Sequence, residues 1–340
     1  MKKIILFILL FLLIALLLLE AFNHTLSDNF VVKTQTITPQ KNEKTVPSAV
    51  SIINNSSNIS SKKMENPEQS LVVSNNVYVS IFPEIINNGE FFKVSLSENV
   101  NPLSSIKFQD KKYPIFKDNA GEFSSIIPVP LSVKEGSYKI YIEHLEKQKI
   151  IYENISEIKI LNKERGFDYV NLSNEIIASS FSKESVKEDA EIRAETSALF
   201  SVGNYWKGAF TMPCEGEIST MFGVGRSYNN QPVSSFHLGL DIAADQYTKI
   251  NAPAKGIIKL VIASPLRGLM VYVDHGLGVQ SSFSHLNSVF VEAGEVVTRG
   301  TLLGTVGSSG ASTGPHLHWE VSVWDTFTDP FVWTTTSLFD

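Results

Sequence analysis

The spacing of apolar positions changes character several times along the chain. Ile4 to Leu19 is an unbroken apolar run behind Lys2 and Lys3. As a helix it spans roughly 24 Å, a little short of a bilayer core of about 30 Å. The run is long for a signal peptide's apolar region and no clear small-x-small cleavage site follows it. Residues 1–22 therefore read as a membrane anchor, with a cleaved signal peptide as the alternative. From Asn23 to about Asn76 the periodicity disappears into Ser, Asn, Lys and Thr. Such a stretch has too little apolar surface to offset the entropy of ordering it, and residues 23–76 read as a disordered linker.

A period of two then takes over. Phe92, Val94 and Leu96 alternate with Lys93, Ser95 and Ser97, and Tyr138, Ile140 and Ile142 alternate with Lys139, Tyr141 and Glu143. One face is apolar and the other wet. Turn clusters at Asn87-Asn88-Gly89, Asp118 to Gly121 and Glu135-Gly136 divide residues 77–161 into six or seven short strands, the pattern of a small antiparallel β-sandwich. Residues 162–205 read as a connector. Ser182 is placed to cap a helix from Lys183 to about Leu199, with Val186, Ala190 and Ala194 at helical spacing. Lys187, Glu188, Asp189, Glu191 and Arg193 are expected on its solvated face. After Tyr205-Trp206 the texture becomes glycine-rich strand and turn, so the fold class is mainly β, with residues 206–332 as the C-terminal domain.

Composition narrows the function classes. A net charge of −6 and a pI near 5.7 argue against nucleic-acid binding. A single cysteine, Cys214, leaves no intramolecular disulfide and no multi-cysteine zinc site.

The candidate chemistry centres on Ser312-Thr-Gly-Pro-His316-Leu-His318-Trp-Glu320. If His316 to Val323 is a strand, His316 and His318 share one face while Leu317 and Trp319 share the other. Two imidazoles on one patch suggest a metal, and a catalytic zinc takes about three protein ligands and a water. Partners stand upstream in Phe236-His237-Leu-Gly-Leu-Asp241, where Gly239 and β-favouring flanks argue for extended chain around a bend. His237, Asp241 and one of the terminal histidines make a two-nitrogen, one-oxygen set with a fourth position open for water. His285 lies in Ser282-Phe-Ser-His-Leu286.

These segments, with Phe210-x-x-Pro213, Phe222-Gly223 and Ser308-Ser-Gly-x-Ser-Thr-Gly-Pro-His316, resemble the lysostaphin/LytM-type zinc endopeptidases of bacterial cell walls over roughly Trp206 to Pro330. The resemblance implies an antiparallel β-sheet peptidase domain in which His237, Asp241 and His318 hold one Zn²⁺ while His285 and His316 stand beside the attacking water as the catalytic pair. It implies hydrolysis of peptidoglycan stem-peptide or cross-link bonds; the membrane segment and linker suggest a Gram-negative-type wall, which makes a D-alanyl to diaminopimelate bond the first choice. Peptidoglycan and, through residues 4–19, the inner membrane are the expected partners. The expected location is the periplasm, or the exterior if the leader is cleaved. The sequence names no regulatory protein partner. Leu238 and Lys249-Ile-Asn-Ala-Pro253 depart from the family's usual residues, but neither touches the five.

Blander readings attach to other residues. His275 is expected to be structural, Cys214 a small strand residue, and Glu320 a surface carboxylate, with the orienting of an imidazole as its alternative. Tyr228, Asn229 and Asn230 are expected to be loop residues, with the lining of a substrate groove as their alternative. Val291 to Thr305 resembles the hairpins of biotinyl and lipoyl carriers, but no lysine at a tight turn follows. A non-catalytic relative serving as a wall-binding or hydrolase-activating module is the rival function, and it would be expected to lack metal ligands that are all present here.

Overall fold

A computed structural model describes residues 71–73, 77–96, 104–117, 121–146 and 149–339. The expected membrane segment, and the expected linker up to residue 70, lie outside these residues. Among the described residues no helix is long and apolar enough to cross a membrane. The first described strand, Leu71–Val73, falls within the stretch expected to be linker, where three consecutive apolar residues pair antiparallel with Val77–Val79.

The alternating segments form two five-stranded sheets. One runs in the order Leu71–Val73, Val77–Phe82, Phe91–Leu96, Phe123–Pro128, Phe116–Lys117, and the other in the order Ile85–Asn87, Lys149–Leu161, Gly136–Glu146, Ser105–Phe108, Lys111–Pro114. Phe92, Val94, Ile106, Phe108, Ile127, Ile140 and Ile158 fill the space between them. More strands exist than the sequence suggested because several, such as Phe116–Lys117, are too short to display alternation.

The connector contains helices α1 (Asn174–Ser180) and α2 (Lys183–Ala198). Ser182 caps α2 by accepting the Ser185 amide at 3.1 Å, as its sequence position predicts. The buried face of α2 is not the predicted one. Val186, Ala190 and Ala194 are exposed, and Ser185, Asp189, Ile192 and Thr196 are buried. Asp189 thus leaves the solvated face it was expected to occupy, because its carboxylate meets the buried Arg267 and the half-buried Arg193.

The rest is a ten-stranded sheet whose centre holds His316–Val323, between Leu240–Ala243 and Val279–Val289. Leu317, Trp319, Val321 and Val323 are buried in the core. A three-stranded sheet, Phe167–Val170, Gly225–Tyr228 and Ser235–Phe236, brings the connector alongside this domain. Phe91 and Ile126 of the sandwich belong to the same apolar cluster as Trp206 and Trp333, with the Phe91 and Trp333 rings stacked 3.9 Å apart.

Candidate metal centre

Strand register builds the site. Asp241 pairs with His318 across neighbouring strands, and Ser284 pairs with His318 on the other side. His237 arrives on the bend between Ser235–Phe236 and Leu240–Ala243. Gly239 permits that bend: a Cβ there would lie 2.6 Å from the Trp319 carbonyl oxygen and 2.9 Å from His318 Cε1. His285 sits at φ = +63°, a left-handed conformation uncommon for histidine, beside an irregularity in its strand.

Three donor atoms converge. His237 Nε2 lies 3.0 Å from Asp241 Oδ1 and 3.0 Å from His318 Nδ1, and His318 Nδ1 lies 2.6 Å from Asp241 Oδ1. Donors bonded to a tetrahedral zinc stand roughly 3.3 Å apart, given bonds of about 2.0 Å. The outer atoms are already committed. His237 Nδ1 donates to the Met221 carbonyl at 2.9 Å, His318 Nε2 donates to Glu320 Oε1 at 3.1 Å, and Arg226 Nη2 donates to Asp241 Oδ2 at 2.6 Å. Two bare imidazole lone pairs and one carboxylate oxygen therefore face a single point, an arrangement that attracts a cation. Among the described residues these three form the one such His/Asp/Glu/Cys group.

Burial and mutual attraction shift the three donors in different directions. Burial alone would raise the Asp241 carboxyl, but His318 and His237 hold it well below the usual range. Burial outweighs the pull of Asp241 at His237, which stays below its ordinary value, whereas Asp241 and Glu320 overcome burial at His318 and raise it. The histidine held between two carboxylates is the more basic of the two.

His285 and His316 stand next to this group, their rings 4.8 Å apart, with His316 Nε2 3.9 Å from Asp241 Oδ1. His285 Nδ1 donates to the Ser309 carbonyl at 2.7 Å, and His316 Nδ1 to the Gly314 carbonyl at 2.9 Å. A carbonyl only accepts, so each ring carries its proton on Nδ1 and leaves Nε2 as a base. Burial, then the neighbouring His316 and His318, push His285 down to about 3, and burial lowers His316. Both are neutral near pH 7. The residues open on a groove of about 550 Å³, one wall of which is the connector's Val170, Leu172 and Phe181.

The other candidates separate. Tyr228 lines the groove, but Asn229 spends its side chain on the Leu172 backbone. Cys214 is buried in a bend rather than a strand, and burial pushes its thiol up to about 12. His275 is fully buried and bonded to the Lys255 carbonyl and Ser281 Oγ, as a structural histidine should be. Glu320 is not a surface carboxylate: it is 2% exposed and holds His318. Arg226 was not anticipated. Its only sequence signal is its place four residues after Phe222, within the stretch from Trp206 to Pro330 that the family resemblance covers.

Residues 235–330 match the model of peptidase family M23, and the C-terminal part of the chain carries a domain of that family. Over 109 residues the chain is 38% identical to the DD-carboxypeptidase/endopeptidase Mpg of Neisseria meningitidis serogroup B, covering 31% of this chain and 24% of that protein. It is 33% identical over 87 residues to the peptidoglycan DD-endopeptidase ShyA of Vibrio cholerae, covering 26% and 20% respectively. The matched segment thus spans about a quarter or less of those relatives. A solved structure assigned to peptidase M23 from Pseudomonas aeruginosa is similar over 73% of this chain and 93% of its own, at 29% identity and a TM-score of 0.53.

Proposed function

We propose that the protein is a zinc endopeptidase acting on peptidoglycan peptides, with a D,D bond in the stem or cross-link as its target. The observation that carries this reading is the convergence of His237 Nε2, Asp241 Oδ1 and His318 Nδ1 with every outer atom already bonded. Those three residues would hold the zinc, whose Lewis acidity would lower the pKa of a water and polarise a carbonyl. His285 and His316, neutral with bare Nε2 atoms, are suited to take the water's proton and to return it to the leaving amine. Once protonated, either imidazole also stabilises the negative oxygen of the tetrahedral intermediate. The groove beside them admits an extended peptide. The apolar run Ile4 to Leu19 and the polar stretch after it support an exported chain held at the inner membrane, with residues 77–161, 162–205 and 206–332 as sandwich, connector and peptidase. The test is mass spectrometry of fragments released from isolated wall by the zinc-loaded protein. New amino termini at the cross-linked residue are expected; intact cross-links alongside cleaved glycan would exclude a peptidase.

A further inference from the structure

Helix α2 is held to the sheet in an unusual way. Of its four buried positions only Ile192 is apolar, packing with Met270 and Tyr272. Much of the remaining contact is a quartet of charges, with Asp189, Arg267 and Glu320 buried and Arg193 half-buried. Asp189 Oδ1 accepts from Arg267 Nε at 2.6 Å and Asp189 Oδ2 from Arg193 Nε at 2.8 Å. Glu320 Oε1 accepts from Arg267 Nη1 at 2.9 Å and lies 3.4 Å from Arg193 Nη2. The same Oε1 receives His318 Nε2, while Glu320 Oε2 accepts from Ser282 Oγ at 2.8 Å. An apolar helix face would hold α2 to the sheet at least as well as buried ion pairs do, so adhesion alone does not explain the quartet.

Arg267 also reaches the other half of the site. Its backbone carbonyl accepts the His285 amide at 2.9 Å, and its own amide is tied to Ser264 Oγ at 3.1 Å. The turn it occupies leads into Leu269, whose amide donates to Ser309 Oγ at 3.0 Å, and the carbonyl of Ser309 orients the His285 ring. One residue therefore touches the support of His318 through its side chain and that of His285 through its backbone.

We infer that Asp189 of the connector helix, with Arg193 as a longer second bridge to Glu320, sets the metal centre through Arg267, a positioning residue. Asp189 neutralises one side of the guanidinium. Without it the arginine's full charge falls on Glu320, competes with His318 for the shared oxygen and loosens the imidazole. This inference rests on the reading that His237, Asp241 and His318 hold zinc.

The test uses the full chain and its Asp189→Asn, Glu320→Gln and double variants. Zinc affinity is measured by competition with a chromophoric chelator at one pH, well below each variant's Tm. Glu320→Gln should weaken zinc about 10–100-fold, and Asp189→Asn several-fold. The double variant should bind about as Glu320→Gln does, because both act along one path. A lowered Tm with wild-type zinc affinity in Asp189→Asn would reduce the quartet to a structural contact and overturn the inference. So would fully multiplicative losses in the double variant. If Glu320→Gln fails to fold, Asp189→Asn decides alone: several-fold weakening upholds the inference and wild-type affinity ends it. A wild-type chain that takes up no zinc would remove the metal reading and this inference together, whereas a zinc-binding wild type with an indistinguishable Asp189→Asn removes only the inference.

Discussion

Arg226 Nη2 and Asp241 Oδ2 lie 2.6 Å apart, so the carboxylate presents its other oxygen, Oδ1, to both imidazoles. The arginine fixes which oxygen faces inward and removes the second from competition. Arg226→Ala should weaken zinc about tenfold while leaving the fold intact. Chelator competition measures this, and an unchanged affinity would assign the arginine to substrate instead.

His285 and His316 are neighbours of the donor group, not members of it. His285→Asn, which tolerates the left-handed backbone at that position, and His316→Ala should each retain zinc and lose at least about 100-fold in wall hydrolysis. Zinc content and turnover measured on the same preparations check the separation. Loss of metal in either variant would move that histidine into the ligand set.

Strand alternation made the His316/His318 pair legible, and a glycine between β-favouring flanks made the bend at His237 legible, because both are local rules. The charged support was not. Asp189 and Arg193 are four apart on a helix and read as an ordinary solvated pair, yet they close on Arg267 and Glu320, which lie 78 and 127 residues downstream of Asp189 and Arg193 respectively. Such pairings leave no periodic trace. The predicted apolar stripe on α2 failed for the same reason, since charges rather than hydrophobic residues choose its buried face.

His275 supplies a stability prediction with a definite sign. Burial pushes it down to about 4, against partial opposition from the Lys255 carbonyl and Asp274. Between pH 6.5 and about 4 the unfolded chain binds the proton and the folded chain does not, so this contribution to stability is full above 6.5 and shrinks as the pH falls, by roughly 3 kcal/mol in all. His285 and His316 act in the same sense. Denaturant titrations at pH 7 and pH 5 should therefore show a smaller drop for His275→Gln than for the wild type; equal drops would contradict the assignment.

The sandwich and the peptidase share a core through Phe91 and Trp333. Phe91→Ala should cost about 3 kcal/mol or more of stability, by emptying a fully buried ring site. Zinc content per folded chain should not change. Thermal unfolding with metal analysis of the folded fraction checks both, and an unaltered Tm would show that the two parts are energetically independent.

The most direct test of the metal centre is zinc stoichiometry across the five residues. Elemental analysis after dialysis should give about one zinc per chain for the wild type, His285→Asn and His316→Ala, and little for His237→Ala, Asp241→Ala and His318→Ala. Full zinc in any of the last three, or none in the wild type, would contradict the account.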